Sequence, residues 1–361
     1  MKNKKLIQIG GGKMGSIWLK SFNKYNSNVL GIVDPNKQVN SLADKYDTKR
    51  VSNINKIEEK ADIWCIATPI KYHHKYISKA IQQDINSVLV EKPATLHPKI
   101  NHKLIKSADN TDINVDYIEL ENFAFKTVLK DIEKSNFNLS EAIHWRGKSN
   151  AERLFPYMRN ELVHDISEII GLYYQQGQDV TKINIEDVSN VKLWQDETDK
   201  YRTDNRTRAY DIQGSIHLKG ANNESILMKG GFNQEHERRY FLWINGSKDC
   251  CYLVNTLSRE DIEPFSARIT GRESVKLARE KCVNGKLISD ADFKELIRKT
   301  NASVLTDMNN KLPSYSIAKK IINDKTAPIN LSKAAVIEQI MYDVYKYSNT
   351  PELYKPIDDS W

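Results

Sequence analysis

The sequence lacks the long apolar stretches that membrane proteins carry. No run of apolar residues approaches the ~18 that a membrane-spanning helix needs. The basic start, Met-Lys-Asn-Lys-Lys, is followed by an apolar stretch that is too short and too broken by glycine for a signal peptide. These features predict a cytoplasmic protein that does not act in a membrane.

Cysteine is also scarce, with 4 residues in 361. None of them has the spacing of metal ligands, and the adjacent Cys250 and Cys251 favour packing in a strand over redox chemistry. We therefore expect no metal site.

A concentrated charge of one sign is missing as well. The formal net charge is +7, but basic residues alternate with acidic ones and form no tract. This distribution argues against binding of nucleic acid. It leaves room for a basic cleft that takes a small anionic substrate. The chain has no internal repeats or low-complexity linker, and its length predicts two domains.

Glycine is infrequent but clustered near the start of the chain. A short apolar segment beginning at Lys5 runs into Gly10-x-Gly12-x-x-Gly15. This spacing between a strand and a helix is typical of dinucleotide binding: it allows a tight turn, close approach of the backbone to the pyrophosphate, and close packing of helix on strand. The helix N-terminus supplies N–H groups for the phosphates.

A second apolar segment ends in Asp34, close to the usual interval of about 20 residues after the glycines. An acid here accepts hydrogen bonds from the adenosine ribose and repels a 2′-phosphate, so NAD is favoured over NADP. The nearby Lys37 softens that repulsion and keeps NADP possible. Alternatively, Asp34 only caps the turn before Pro35.

Apolar strands alternate with amphipathic helices up to residue 122, which predicts an α/β Rossmann domain with a parallel, doubly wound sheet. Thr68-Pro69 and Glu91-Lys92-Pro93 follow two further strands. In such sheets the ligand binds beyond the carboxyl ends of the strands. The glycines, Asp34 and these two segments are therefore expected at one edge of the sheet.

Residues 123–361 have a different pattern. Several strands follow one another without intervening helices, which predicts an α+β domain with a largely antiparallel, open-faced sheet. Lysine-rich helices are expected over 286–324. We assign 1–122 to NAD(P) binding and 123–361 to substrate binding and oligomerisation.

The chain resembles the glucose–fructose oxidoreductase, inositol dehydrogenase and MocA (Gfo/Idh/MocA) family. Four short motifs carry the resemblance: Gly10-Gly-Gly-Lys13-Met14-Gly15, Val33-Asp34-Pro35, Ala67-Thr68-Pro69 with His73, and Val90-Glu91-Lys92-Pro93. It implies cofactor contacts from the residues Gly10, Gly12, Lys13, Met14, Gly15, Asp34, Thr68, Pro69, His73, Glu91 and Lys92. It further implies a homodimer or homotetramer.

By the same resemblance, Lys92 is a catalytic residue that binds the reacting hydroxyl or carbonyl and helps to move its proton. Near a cationic nicotinamide the ammonium form of a lysine is disfavoured, which suits this role. Alternatively, Lys92 only pairs with Glu91. The family often has a cis peptide before the residue that matches Pro93.

His164 is the second catalytic candidate. Family members have Asp-x-Gly-x-His where this chain has Asn160-Glu-Leu162-Val-His164. An amide positions a hydroxyl but takes no proton at neutral pH, so acid–base work falls to Lys92 and His164, with Asn160 holding substrate. Alternatively, His164 caps the helix or is satisfied in the core. Asp165 is a further candidate to orient the imidazole, although neighbours on a helix point apart.

Tyr157 and Arg159 precede this motif and are either substrate contacts or surface residues. Arg159 is suited to a carboxylate or phosphate. Glu119 and Asn122 stand where the family often shows Asn and Arg, which suggests a substrate unlike simple polyols.

The sequence thus predicts an NAD(P)-dependent dehydrogenase or reductase that acts on CH–OH groups of a sugar, a sugar derivative or a nucleotide-sugar. Three alternatives stay open: an NAD-dependent glycoside hydrolase of the same fold, an imine reductase in a biosynthetic pathway, and a non-catalytic dinucleotide sensor. Fold alone does not choose among them.

Overall fold

A computed structural model describes residues 3–95, 97–135, 137–148, 162–196, 208–232, 239–247, 249–255, 265–281, 290–305 and 313–347. The chain divides into two compact units. The first contains Met1–Glu121 and Lys311–Gln339, and the second contains Asn122–Asn310 and Ile340–Lys355.

The helices of the described residues are α1 (Lys13–Asn23), α2 (Asn40–Lys45), α3 (His73–Gln82), α4 (Pro98–Ser107), α5 (Phe123–Lys134), α6 (Val163–Gln175), α7 (Arg272–Arg279), α8 (Asp290–Lys299), α9 (Pro313–Ile322) and α10 (Leu331–Tyr347). No helix in these ranges is both long and apolar enough to cross a membrane.

The first unit is built on a parallel sheet, as predicted. In the described part of the unit it has six strands: β1 (Lys5–Ile9), β2 (Asn28–Val33), β3 (Arg50–Val51), β4 (Ile63–Ile66), β5 (Ser87–Glu91) and β6 (Asp112–Asp116). Their order is β3-β2-β1-β4-β5-β6, and every pairing is parallel. The order in which strands are added switches sides between β1 and β4, because β2 and β3 lie on one side of β1 and β4 to β6 lie on the other. Such folds bind ligands at this switch point.

The core of the first unit explains why residues 311–339 belong to it. Ile317 and Ile321 of α9 are buried with Leu6 of β1 and with Trp18 and Phe22 of α1. The predicted boundary assigned all of 123–361 to the second domain, because the sequence gives no sign that a distant helix packs back onto the first sheet.

The second unit holds an eight-stranded sheet, counted over the described ranges. Its strands are β7 (Glu141–Lys148), β8 (Asn184–Asp196), β9 (Arg208–Lys219), β10 (Ser225–Phe232), β11 (Arg239–Ser247), β12 (Cys250–Asn255), β13 (Phe265–Thr270) and β14 (Ala302–Val304). Their order is β14-β13-β12-β11-β7-β10-β9-β8. The pairing of β7 with β10 is parallel and the others are antiparallel. The predicted largely antiparallel sheet is confirmed.

Candidate active site

The glycine loop between β1 and α1 has two kinds of glycine. Gly10 has φ +89°, and a Cβ there would lie 2.3 Å from the Ala67 carbonyl oxygen. A Cβ on Gly15 would lie 2.1 Å from the Gly10 carbonyl oxygen. Since neither space admits a side chain, these glycines are required by the fold.

Gly12 differs from both of these residues. It precedes the first turn of α1, and a Cβ there would meet no described atom within 4 Å. No side chain in the described ranges caps this helix end. Gly12 therefore leaves open the space through which a phosphate reaches the N–H groups of α1. Lys13 and Met14 form the start of this turn.

Gly11, which the sequence pattern treats as variable, has contacts in the loop that the prediction missed. A Cβ at this position would lie 2.3 Å from Val39 Cγ1. Its N–H donates to Asp34 Oδ2 at 2.8 Å. Gly11 therefore joins the phosphate loop directly to the carboxylate at the end of β2.

The Asp34 carboxylate is held in place by the backbone. Besides the Gly11 bond, Oδ1 accepts from the N–H of Asn36 at 2.8 Å. Each carboxylate oxygen has a further lone pair, so hydrogen bonds from ribose hydroxyls remain possible. Arg50 of β3 lies next to this residue, since its Nη1 donates to the Asp34 carbonyl at 2.7 Å. This cation was not predicted, because its partner lies on another strand and nothing next to Arg50 in the sequence identifies that partner.

His73 connects the loops that follow β4 and β5. Its Nε2 lies 2.7 Å from the Thr68 carbonyl oxygen, and its Nδ1 lies 3.0 Å from that of Pro93. Burial lowers the pKa of His73 although both carbonyls favour a protonated ring. The Lys92–Pro93 peptide bond is cis, as the resemblance implies.

Two acidic side chains, Glu91 and Asp116, lie close to Lys92 at the ends of β5 and β6. Glu91 is the register partner of Asp116, and the two side chains hydrogen-bond to each other. Glu91 also accepts from Trp18 Nε1 at 2.9 Å. Burial, and then the charge of Glu91, raise the pKa of Asp116 well above its ordinary range, whereas the nearby Lys92 opposes the shift. The surroundings of Asp116 therefore favour its protonated form.

His164 lies in the first turn of α6 in the second unit and is buried. Among the described residues, its neighbour Asp165 contacts other side chains. The Asp165 carboxylate bonds Arg146 Nε and lies 3.1 Å from Nδ1 of His144, both on β7. The side chains of consecutive residues on a helix point in different directions, so those of Asp165 and His164 have different neighbours.

The Asp165 contact belongs to a buried charge network. His144 Nε2 lies 2.7 Å from Glu168 Oε2. Burial disfavours the imidazolium, but the carboxylates of Asp165 and Glu168 outweigh it and raise the pKa of His144 to about 9. Two cations, His144 and Arg146, thus balance two carboxylates under the turn that carries His164.

The first unit gathers most of the predicted site. Gly10, Gly12, Lys13, Met14, Gly15, Asp34, Thr68, Pro69, His73, Glu91 and Lys92 all lie at or just beyond the carboxyl ends of its strands. His164 is in the second unit. Tyr157, Arg159 and Asn160 lie outside the described residues. No group of three or more His, Cys, Asp or Glu side chains in the described ranges could hold a metal ion.

This parallel sheet, with its glycine loop and acid-ended second strand, defines a dinucleotide-binding domain. Residues 4–116 match the family model GFO_IDH_MocA, described as an oxidoreductase family with an NAD-binding Rossmann fold. This match of the first domain confirms the predicted resemblance to the Gfo/Idh/MocA family and the predicted NAD(P) cofactor. No curated protein sequence matches the chain significantly.

Solved structures with the same fold cover nearly the whole chain. UDP-N-acetylglucosamine 3-dehydrogenase GnnA from Acidithiobacillus ferrooxidans has a TM-score of 0.71 at 12% identity, covering 99% of this chain and 100% of its own. Levoglucosan dehydrogenase in complex with NADH has a TM-score of 0.72 at 11% identity, covering 98% of each chain. The 3-ketoreductase KijD10 from Actinomadura kijaniata, in complex with NADP, has a TM-score of 0.70 at 11% identity, covering 96% and 98%. At these identities the likeness shows the fold alone.

Proposed function

We propose that the chain transfers a hydride between NAD(P) and a CH–OH or C=O group of a sugar, a sugar derivative or a nucleotide-sugar. The observation that carries the proposal is the position of Lys92. It lies at the carboxyl end of β5, at the same sheet edge as the glycine loop and Asp34.

The described residues fit a dinucleotide. Gly12 leaves an open cradle at the N-terminus of α1, and the Asp34 carboxylate keeps lone pairs for the ribose. The Thr68 hydroxyl at the end of β4 is buried and has no hydrogen-bond partner among the described residues. An orphaned polar group of this kind is suited to a bound ligand. Gly10 to Gly15, Asp34 and Thr68 would hold the cofactor.

When bound, NAD(P) supplies the hydride acceptor or donor. The protein's task is to hold the carbinol oxygen and to move its proton. Lys92 Nζ would hydrogen-bond that oxygen, and Lys92 or His164 would take the proton during oxidation and return it during reduction. Asn160, Tyr157 and Arg159 would hold the rest of the substrate, with Arg159 suited to a phosphate or carboxylate.

The fold neighbours support the substrate class, since their names specify a UDP-sugar, levoglucosan and a 3-keto group. A nucleotide-sugar also suits the net charge of +7. We further propose a homodimer or homotetramer in the cytoplasm.

A substrate panel tests this proposal. The purified protein is mixed with NAD or NADP and with UDP-N-acetylglucosamine, levoglucosan, other sugars and other nucleotide-sugars, and NAD(P)H formation is followed by absorbance. We expect turnover of at least one compound by the wild type, with a strong reduction in Lys92→Ala. Glycoside cleavage without net NADH would favour the hydrolase. Tight NADH binding without any turnover would favour the sensor and contradict the proposal.

A further inference from the structure

Lys92 is followed by Pro93 and then by the buried residues Ala94 and Thr95. Both of these residues direct their N–H groups at one carboxylate. The Ala94 N–H donates to Glu338 Oε1 at 2.5 Å, and the Thr95 N–H lies 3.4 Å from Oε2. Glu338 belongs to α10 but falls within the first unit.

Glu338 is itself closely held. Its side chain is 4% exposed, and Oε2 accepts a third hydrogen bond, from Asn101 Nδ2 of α4 at 2.5 Å. A buried carboxylate is tolerated only when hydrogen bonds replace its lost hydration. These three hydrogen bonds replace the lost hydration of Glu338. They attach the segment after Pro93 to α10, and they attach α10 to α4.

His73 holds the other side of the same segment. Its ring lies between the carbonyl oxygens of Pro93 and Thr68 and is 1% exposed. A protonated ring donates to both carbonyl oxygens, and a neutral ring donates to one of them. The backbone around Pro93 is thereby held through a carbonyl on one side and through N–H groups on the other.

We infer that Glu338 is a positioning residue for Lys92, acting together with His73 on the backbone of residues 93–95. The inference rests on the proposed role of Lys92. Glu338 lies 244 positions from Ala94, and it touches neither the glycine loop nor Asp34 in the hydrogen bonds of the described residues. It should therefore affect the reaction step and leave cofactor binding unchanged.

Three substitutions separate positioning from folding. Glu338→Leu removes the acceptor, Glu338→Asp keeps the charge but withdraws it by one methylene, and Glu338→Gln keeps both the length and an acceptor for Ala94. Asn114→Leu is the matched control. Its Oδ1 is likewise a buried acceptor, for the N–H of Ala327 at 2.6 Å, and Asn114 lies in the middle of β6.

Two measurements are made on each folded variant. The first is kcat with UDP-N-acetylglucosamine or levoglucosan, whichever is turned over, together with the Kd of NADH from fluorescence titration. The second is amide hydrogen exchange of the segment from Glu91 to Asn101, which requires no substrate.

We expect Glu338→Leu and Glu338→Asp to lower kcat by about 10- to 100-fold, the range that small misplacement of a reacting group produces. The Kd of NADH should stay within about twofold, and exchange at Ala94 and Thr95 should accelerate at least about tenfold. Glu338→Gln should recover most of kcat, and Asn114→Leu should keep it. If Glu338→Leu does not fold, the comparison of Glu338→Asp with Glu338→Gln tests the inference.

The inference would be overturned if Glu338→Asp had the kcat of the wild type and the same amide hydrogen exchange at Ala94 and Thr95. Wild-type kcat in Lys92→Ala would instead remove the proposed role of Lys92, so the two failures are distinguishable. Without turnover of either substrate, unchanged exchange at Ala94 in the Asp variant overturns the inference.

Discussion

The Asp34 carboxylate accepts a hydrogen bond from the Gly11 N–H at 2.8 Å. This bond links the two motifs from which dinucleotide binding was predicted. The carboxylate that we propose for the ribose therefore also holds the backbone of the glycine loop. On this proposal, cofactor choice and loop geometry depend on one side chain.

Replacing this carboxylate should weaken NAD binding more than NADP binding. Asp34→Ser removes charge-assisted hydrogen bonds worth about 1.5–3 kcal/mol each, which corresponds to an increase of about 10- to 100-fold in the Kd of NADH. NADPH should lose less, because the repulsion of its 2′-phosphate disappears and Arg50 lies alongside. Titration with both cofactors checks this. An unchanged NADH to NADPH ratio would contradict it, and Asp44→Ser, on the exposed side of α2, is the control.

The glycines of the loop should separate folding from binding. Gly10→Ala places a Cβ against the Ala67 carbonyl at a positive φ, and such strain should lower the free energy of unfolding by about 1–3 kcal/mol. Gly12→Ala meets no described atom within 4 Å. It should keep the free energy of unfolding within about 1 kcal/mol.

The same Gly12→Ala variant should weaken NADH binding at least about tenfold, because its methyl group occupies the path of the pyrophosphate. Denaturant unfolding and NADH titration test both glycines. A wild-type Kd of NADH in Gly12→Ala would show that the pyrophosphate does not occupy the open space at Gly12.

The buried network of the second unit should make stability depend on pH through His144. Its folded pKa of about 9 lies above the ordinary 6.5, so the stabilisation is complete below about pH 6.5 and is lost as the pH rises towards 9. The difference in unfolding free energy between wild type and His144→Gln should be of the order of 3 kcal/mol near pH 6 and shrink by pH 9.

Unfolding curves at several pH values measure this difference. His217→Gln serves as the control, since its ion pair with Glu186 is partly exposed and such pairs contribute little. A constant difference between wild type and His144→Gln from pH 6 to pH 9 would contradict the charge balance.

Asp116 should also make the free energy of unfolding depend on pH, but for a different reason. Burial and Glu91 raise its pKa in the folded state, so the folded state binds a proton that the unfolded state releases above about pH 4. Wild-type stability should therefore decline with rising pH relative to Asp116→Asn, whose amide keeps a donor towards Glu91. Parallel stability curves for the two proteins would contradict a raised pKa of Asp116. Asp112→Asn, at the start of the same strand, is the control.

The local parts of the site were readable from the sequence because they lie within one loop or at one strand end. Gly10 to Gly15, Asp34 and Glu91-Lys92-Pro93 each follow an apolar strand, and parallel strands bring their ends together. Asp116, Arg50 and Glu338 were missed for a common reason. Their roles come from partners on other elements, and nothing next to them in sequence identifies those partners.

The second unit illustrates the same limit. Alternation on β7 places His144 and Arg146 on one face. That this face is buried against Asp165 and Glu168 depends on packing of α6, which periodicity does not specify. Likewise, α9 has an ordinary amphipathic pattern, and only the tertiary structure assigns it to the first unit.

The proposed role of Lys92 is tested most directly by the rate of hydride transfer in Lys92→Met, measured by rapid mixing of enzyme, NAD and the best substrate from the panel. We predict a loss of about 10²- to 10⁴-fold, the contribution expected of a general acid–base residue, with the Kd of NADH within about twofold of wild type. A wild-type rate of hydride transfer in this variant would contradict it.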